Sequence, residues 1–138
     1  MSGTLAAGRR ILVVDDDDMV RDFLVGHLLR ALPSAHVLTA NDGTSGLVSY
    51  RRELPDLIVT DLNMHQMSGD ELIEHIRKTD TTTPILVLTG APETTPIPGA
   101  TEVVPKIRLG YLVQRVTDLL ANSPHVEADV EETRAEAR

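Results

Sequence analysis

The chain has 138 residues, 41% of them hydrophobic and 25% charged, a composition that fits one globular domain with an aliphatic core. The absence of cysteine excludes a disulfide framework, a thiol nucleophile and a thiolate metal site. The net charge of −8, with thirteen basic residues scattered along the chain, argues against direct nucleic-acid binding. No apolar leader and no run of membrane-spanning length is present, so a cytoplasmic protein without a membrane partner is expected.

Residues 1–8 are small and polar and read as a flexible amino terminus. The first strand is predicted at 11–14 and stops at Asp15-Asp16. A helix follows over 18–31. Val20, Phe23, Leu24, Leu28 and Ala31 keep its 3.6-residue period, and Asp17 or Asp18 serves as its cap. Pro33 closes it. The second strand is predicted at 37–40. Asn41-Asp42-Gly43 makes a turn into a short helix over 44–52, which Leu54-Pro55-Asp56 breaks.

The third strand, 57–61, ends in Asp61. A loop leads to Ser68-Gly69-Asp70, which opens a helix to about 78 with Leu72, Ile73 and Ile76 inward. The fourth strand, 85–89, ends in Thr89. Residues 90–100 hold Pro92, Pro96, Pro98 and Gly99, and leave room for at most one irregular turn near 93–95. The fifth strand, 101–105, leads to Lys106. The last helix, 109–121, buries Leu109, Leu112, Val113, Val116, Leu119 and Leu120. Residues 122–138 are acidic and read as a flexible tail.

Strands alternating with helices predict an α/β domain over 9–121. Its five-stranded parallel sheet would take the flavodoxin-like order 2-1-3-4-5, with helices on both faces and a fourth helix shortened or replaced by the proline-rich loop. Sites in such sheets lie outside the carboxyl ends of the strands. Asp15, Asp16, Asp61, Thr89 and Lys106 would converge there.

Three carboxylates in one crevice repel each other, by about 1 kcal/mol per pair at 4 Å in water and about 4 kcal/mol at an effective dielectric near 20. A hard dication removes that cost, and oxygen ligands favour Mg²⁺ over zinc. Asp16, Asp61 and the backbone carbonyl of Asn63 are the candidate ligands, with Asp15 acting through water. Asp61 is also a candidate nucleophile toward phosphorus, aided by the Thr89 hydroxyl and the Lys106 ammonium. Taken singly, the acidic run is equally a solvated helix cap, Thr89 a hydroxyl bonded to its own backbone, and Lys106 a solvated lysine.

The segments ILVVDDDD, PDLIVTDLNMHQMSG, PILVLTG and VVPK together resemble the receiver domain of bacterial two-component response regulators, across about residues 9–121. The resemblance implies that Asp61 accepts a phosphoryl group from a histidine kinase or histidine phosphotransfer protein. Asp15 and Asp16 would form the acidic pair, Asn63 would give its carbonyl to Mg²⁺, and Thr89 and Lys106 would be the switch hydroxyl and the phosphate-pairing lysine. A change of shape would then engage a downstream protein. Such a domain is not an enzyme beyond its own phosphorylation and dephosphorylation, and a stand-alone receiver is expected.

Four departures stand out. Pro105 precedes Lys106 where the family places proline after the lysine, which puts the usual cis peptide in doubt. Val103 replaces a common aromatic switch residue, and His65 replaces a common proline. The proline-rich 90–100 segment takes the place of a helix that helps the family dimerise, so a monomer is expected. An alternative remains a degenerate receiver, an interaction module independent of phosphate. A haloacid-dehalogenase-like hydrolase would need an acid/base where Asn63 stands.

Overall fold

The computed structural model describes residues 8–91 and 95–122. It contains β1 (Arg10–Val14), α1 (Asp18–Ala31), β2 (His36–Ala40), α2 (Gly43–Glu53), β3 (Leu57–Asp61), α3 (Gly69–Arg77), β4 (Ile85–Thr89), β5 (Glu102–Pro105) and α4 (Leu109–Asn122). A single 3₁₀ turn, Lys106–Arg108, joins β5 to α4. The strands form one parallel sheet in the order β2-β1-β3-β4-β5. This is the α/β arrangement expected from the alternation of elements.

The sheet is buried on both faces, so its strands are continuous apolar runs, and their two-residue period divides the core. Ile11, Val13, Leu57, Val59, Leu86, Leu88 and Val104 face α1 and α4, where Leu24, Leu28, Leu112, Val116 and Leu120 meet them. Leu12, Val14, Ile58, Ile85 and Val87 face α2 and α3, where Leu47, Tyr50, Leu72, Ile73 and Ile76 meet them. Each fully buried aliphatic side chain stabilises the fold by roughly 1.5–3 kcal/mol relative to exposure.

The helix starts follow local chemistry. Asp17 caps α1, its carboxylate accepting from the N–H groups of Met19 and Val20. Asp42 caps α2 through the Ser45 N–H at 2.7 Å. At α3, Glu71 accepts the Ser68 N–H at 3.0 Å. Each satisfies donors that the first helical turn leaves without a partner.

One packing expectation fails. Phe23 is 42% exposed, and Ala31 is exposed too. The inner line of α1 runs through Val20, Leu24 and Leu28, and Phe23 stands one position off it, edge-on to His27 at 4.0 Å. Other element ends move by a residue: β1 begins at Arg10, β2 begins at His36, α2 gains a residue at each end to span Gly43–Glu53, and β5 begins at Glu102.

Among the described residues no helix lies between β4 and β5. The turn expected near 93–95 falls mainly on residues 92–94, outside the described residues, as do 1–7 and 123–138 of the expected flexible ends. No peptide bond among the described residues is cis. No helix among them is long and apolar enough to cross a membrane.

Candidate functional site

Parallel strands deliver their carboxyl ends to one edge. The residue after β1 is Asp15, whose N–H still bonds to Ala40 O at 3.1 Å, holding the carboxylate at the mouth of the sheet. The chain then turns sharply, and Asp15 Oδ1 accepts the Asp17 N–H at 2.9 Å. Asp16 is half-buried on that turn. Asp61 ends β3 opposite Leu88 of β4 and is only 4% exposed. Carboxylate oxygens of Asp15, Asp16 and Asp61 lie within 4.8 Å of one another.

Thr89 ends β4 opposite Pro105, so the next residue after β5 is Lys106. Its Nζ lies 3.2 Å from Asp61 Oδ1, which also accepts the Leu62 N–H at 2.9 Å. The inverted order of Pro105 and Lys106 therefore leaves the ammonium in contact with Asp61. β5 is an edge strand, where a proline is tolerated. Thr89 Oγ1 accepts the Ala91 N–H at 3.1 Å, the backbone contact considered for it above, and keeps its own hydrogen to donate. Asn63 lies on the exposed β3–α3 loop, two residues past Asp61. His65 is exposed on the same loop.

Burial governs the electrostatics. The Asp15 acid is pushed up to about 6, first by desolvation and then by the Asp61 and Asp16 charges, against the Asp17 N–H and Lys106. Asp61 is also raised by burial, with Lys106 opposing the shift most strongly. Burial works to lower Lys106, but Asp61 and Asp15 together hold its pKa above the ordinary lysine value. Asp15 Oδ2 is buried without a hydrogen-bond partner. A partnerless carboxylate oxygen beside two other carboxylates fits a hard cation.

A pH prediction follows. The folded pKa of Asp15 lies above its unfolded value of 3.8. Its contribution to stability is complete below that value and is lost as pH rises through about 6, a full loss of about 3 kcal/mol. Asp15→Asn removes the titration. Without divalent cations the variant should gain about 2 kcal/mol on the parent between pH 4 and pH 7. Urea unfolding at both pH values checks this, and an unchanged difference between the two chains contradicts it.

Two positioning residues were not singled out from the sequence. Gly69 packs onto the end of β3: a Cβ there would lie 2.2 Å from Asp61 O and 3.0 Å from Leu62 Cα. Its N–H also bonds to Leu62 O at 2.8 Å. Arg21 bonds through Nη1 to Asp15 O at 2.7 Å and through Nη2 to Asp18 at 2.5 Å, bracing the turn that presents Asp15 and Asp16. The Ser-Gly-Asp run marks the start of a helix but not the steric demand on its glycine. A lone helical arginine carries no signal.

A family model described as the response regulator receiver domain matches residues 11–104. Response regulator MprA of Mycobacterium leprae is 41% identical over 80 residues, covering 58% of this chain and 34% of that protein. Regulator of RpoS of Escherichia coli is 34% identical over 115 residues, covering 81% and 32%. The chain thus spans about a third or less of the length of the curated relatives it matches. Among solved structures, chemotaxis response regulator CheY4 of Vibrio cholerae is 32% identical with a TM-score of 0.67, over 80% of this chain and 99% of that one. TrrA of Thermotoga maritima, in complex with Mg²⁺ and BeF, is 30% identical with a TM-score of 0.72, over 80% and 98%.

Proposed function

This chain belongs to the response regulator receiver domains of two-component systems, and we propose that Asp61 accepts a phosphoryl group and that the resulting change of shape carries the signal. The observation that carries this reading is the 3.2 Å contact between Lys106 Nζ and Asp61 Oδ1, made within a cluster of three carboxylates. An ammonium against a buried carboxylate favours its anionic, nucleophilic form.

The donor is the phosphohistidine of a histidine kinase or a histidine phosphotransfer protein. An Asp61 oxygen bonds to phosphorus as the phosphorus–nitrogen bond of the donor breaks, and the imidazole nitrogen leaves with the bonding pair. Lys106 faces the charge gathered on the phosphoryl oxygens, and the Thr89 hydroxyl donates to one of them. Asp16, Asp61 and the Asn63 carbonyl would hold Mg²⁺, with Asp15 meeting it through water. A bound Mg²⁺ supplies Lewis acidity and screens the carboxylates from the incoming phosphoryl group. The domain acts as a stoichiometric acceptor, as a monomer, and engages a downstream protein without touching nucleic acid itself.

Incubation with phosphoramidate and Mg²⁺ tests the reading. One acid-stable, base-labile phosphoryl group per chain is expected. Repeated turnover of the donor would point to a hydrolase, and absence of label to a phosphate-independent interaction module. Mg²⁺ alone at saturating concentration should stabilise the folded chain by about 1–3 kcal/mol. A melting curve that ignores millimolar Mg²⁺ contradicts the metal assignment.

A further inference from the structure

A groove of about 490 Å³ runs between α3 and the β4–β5 connection. One wall is a single face of α3, built from Asp70, Ile73, Glu74, Arg77 and Lys78 at i, i+3, i+4, i+7 and i+8. The other wall is Ile97, Pro98 and Gly99. In a doubly wound sheet each crossover normally lays a helix over the strands it joins. Here the described part of this crossover is irregular, with a turn in which the Ala100 N–H bonds to Ile97 O at 3.0 Å, and the groove lies beside it on the flank of α3.

The walls are fixed to each other. Gly99 has φ +87 and presses on α3 so closely that a Cβ would lie 2.7 Å from Ile73 Cγ2 and 3.0 Å from Arg77 Cγ. Arg77 Nε bonds to Gly99 O at 2.9 Å, and its Nη1 bonds to Asp80 O at 3.0 Å. The Arg77 guanidinium is thus committed to holding the groove's shape. The rim is different. Asp70, Glu74 and Lys78 are exposed, and no ion pair among the described residues includes them.

We propose that this groove binds an amphipathic helix of a partner protein, lying antiparallel to α3, with aliphatic side chains at i and i+4 seated against Ile97 and Pro98. Neither wall is a strand edge, so an extended peptide gains no main-chain ladder from it, whereas a helix needs only side-chain contact. The order of rim charges sets the direction. Helices favour acidic residues in the first turn and basic residues in the last. Antiparallel to α3, such a helix brings its basic end to Asp70 and Glu74 and its acidic end to Lys78. The inference stands apart from phosphorylation of Asp61, because the groove is formed in the chain without a phosphoryl group.

The test uses the full chain, free of Mg²⁺ and phosphodonor. The probe is a hydrocarbon-stapled helix of about 15 residues, since an unstapled one of that length is marginal in water. It carries leucines at i, i+4 and i+7, glutamates in its first turns and lysines in its last, with a spin label at its carboxyl end. Saturable amide shifts confined to residues 69–78 and 95–101, with broadening strongest near Asp70, are expected. Ile97→Glu and, separately, the surface change Lys78→Glu should each weaken binding by about tenfold. The same peptide with glutamine for leucine should not bind. Four results would each overturn the proposal: no shifts at millimolar peptide, shifts centred on another face, broadening centred on Lys78, or unchanged affinity in both variants. Concentration-dependent self-association lost in Ile97→Glu would assign the groove to a second copy instead.

Discussion

An Asp61→Asn chain should take up no phosphoryl group from phosphoramidate and Mg²⁺ while keeping its fold. The amide has no lone pair able to form an acyl phosphate, and no other described carboxylate stands in contact with Lys106. Stability should hold or rise at neutral pH. Burial pushes the Asp61 acid upward, so its anion is held at a cost that the neutral amide removes. The same change lifts one repelling charge from Asp15. Lys106 loses its partner but keeps about a third of its side chain in water. Radiolabel incorporation and a melting curve measure the two effects together. Persistent labelling would move the acceptor elsewhere, and an unfolded variant would contradict the electrostatic account.

Gly69→Ala should cost about 3 kcal/mol of stability. The added methyl would sit 2.2 Å from a backbone oxygen, and the atom it strikes belongs to Asp61 itself. Backbone cannot swing aside as a flexible side chain can, so the start of α3 and the end of β3 must separate. Asp61 then shifts against Lys106. A displacement near 1 Å can cost on the order of 100-fold in a reaction that depends on positioning. Urea unfolding and the initial rate of labelling read the two consequences separately. A variant as stable as the parent would mean that the contact relaxes at no cost.

Much of the fold, and the meeting of these side chains at one edge of the sheet, was legible in the residues. Continuous apolar runs such as Ile11–Val14 and Ile85–Leu88 report strands buried on both faces, and each run ends on a polar residue. Once the strands are parallel, those ends must share an edge, which is how Asp15, Asp16 and Asp61 come within 4.8 Å. Lys106 joined them despite its altered neighbours, because register sets its place: Thr89 pairs with Pro105, and the lysine follows.

Other features depend on the third dimension. Phe23 fits the period of α1, but the inner line needed only Val20, Leu24 and Leu28. The steric role of Gly69 depends on how closely α3 approaches β3, which no local pattern encodes. The basic residues looked scattered along the chain. The fold collects Arg10, Arg30, Arg51, Arg52, Arg77 and Lys78 at the strand-start edge, because strands begin and helices end there. Glu53, Asp56 and Asp80 share that edge with them, and the site's three carboxylates lie on the opposite one. That the proline-rich crossover forms a wall pinned to α3 by Arg77 was not readable from the residues.

The most direct measurement is to phosphorylate the chain with phosphoramidate and Mg²⁺, reduce the acyl phosphate with borohydride, and map the product by peptide mass spectrometry. Borohydride converts the modified aspartate into homoserine. Homoserine at position 61 alone is the expected result. Homoserine at Asp15, Asp16 or any other position, or none under conditions that keep the chain folded, would contradict the account.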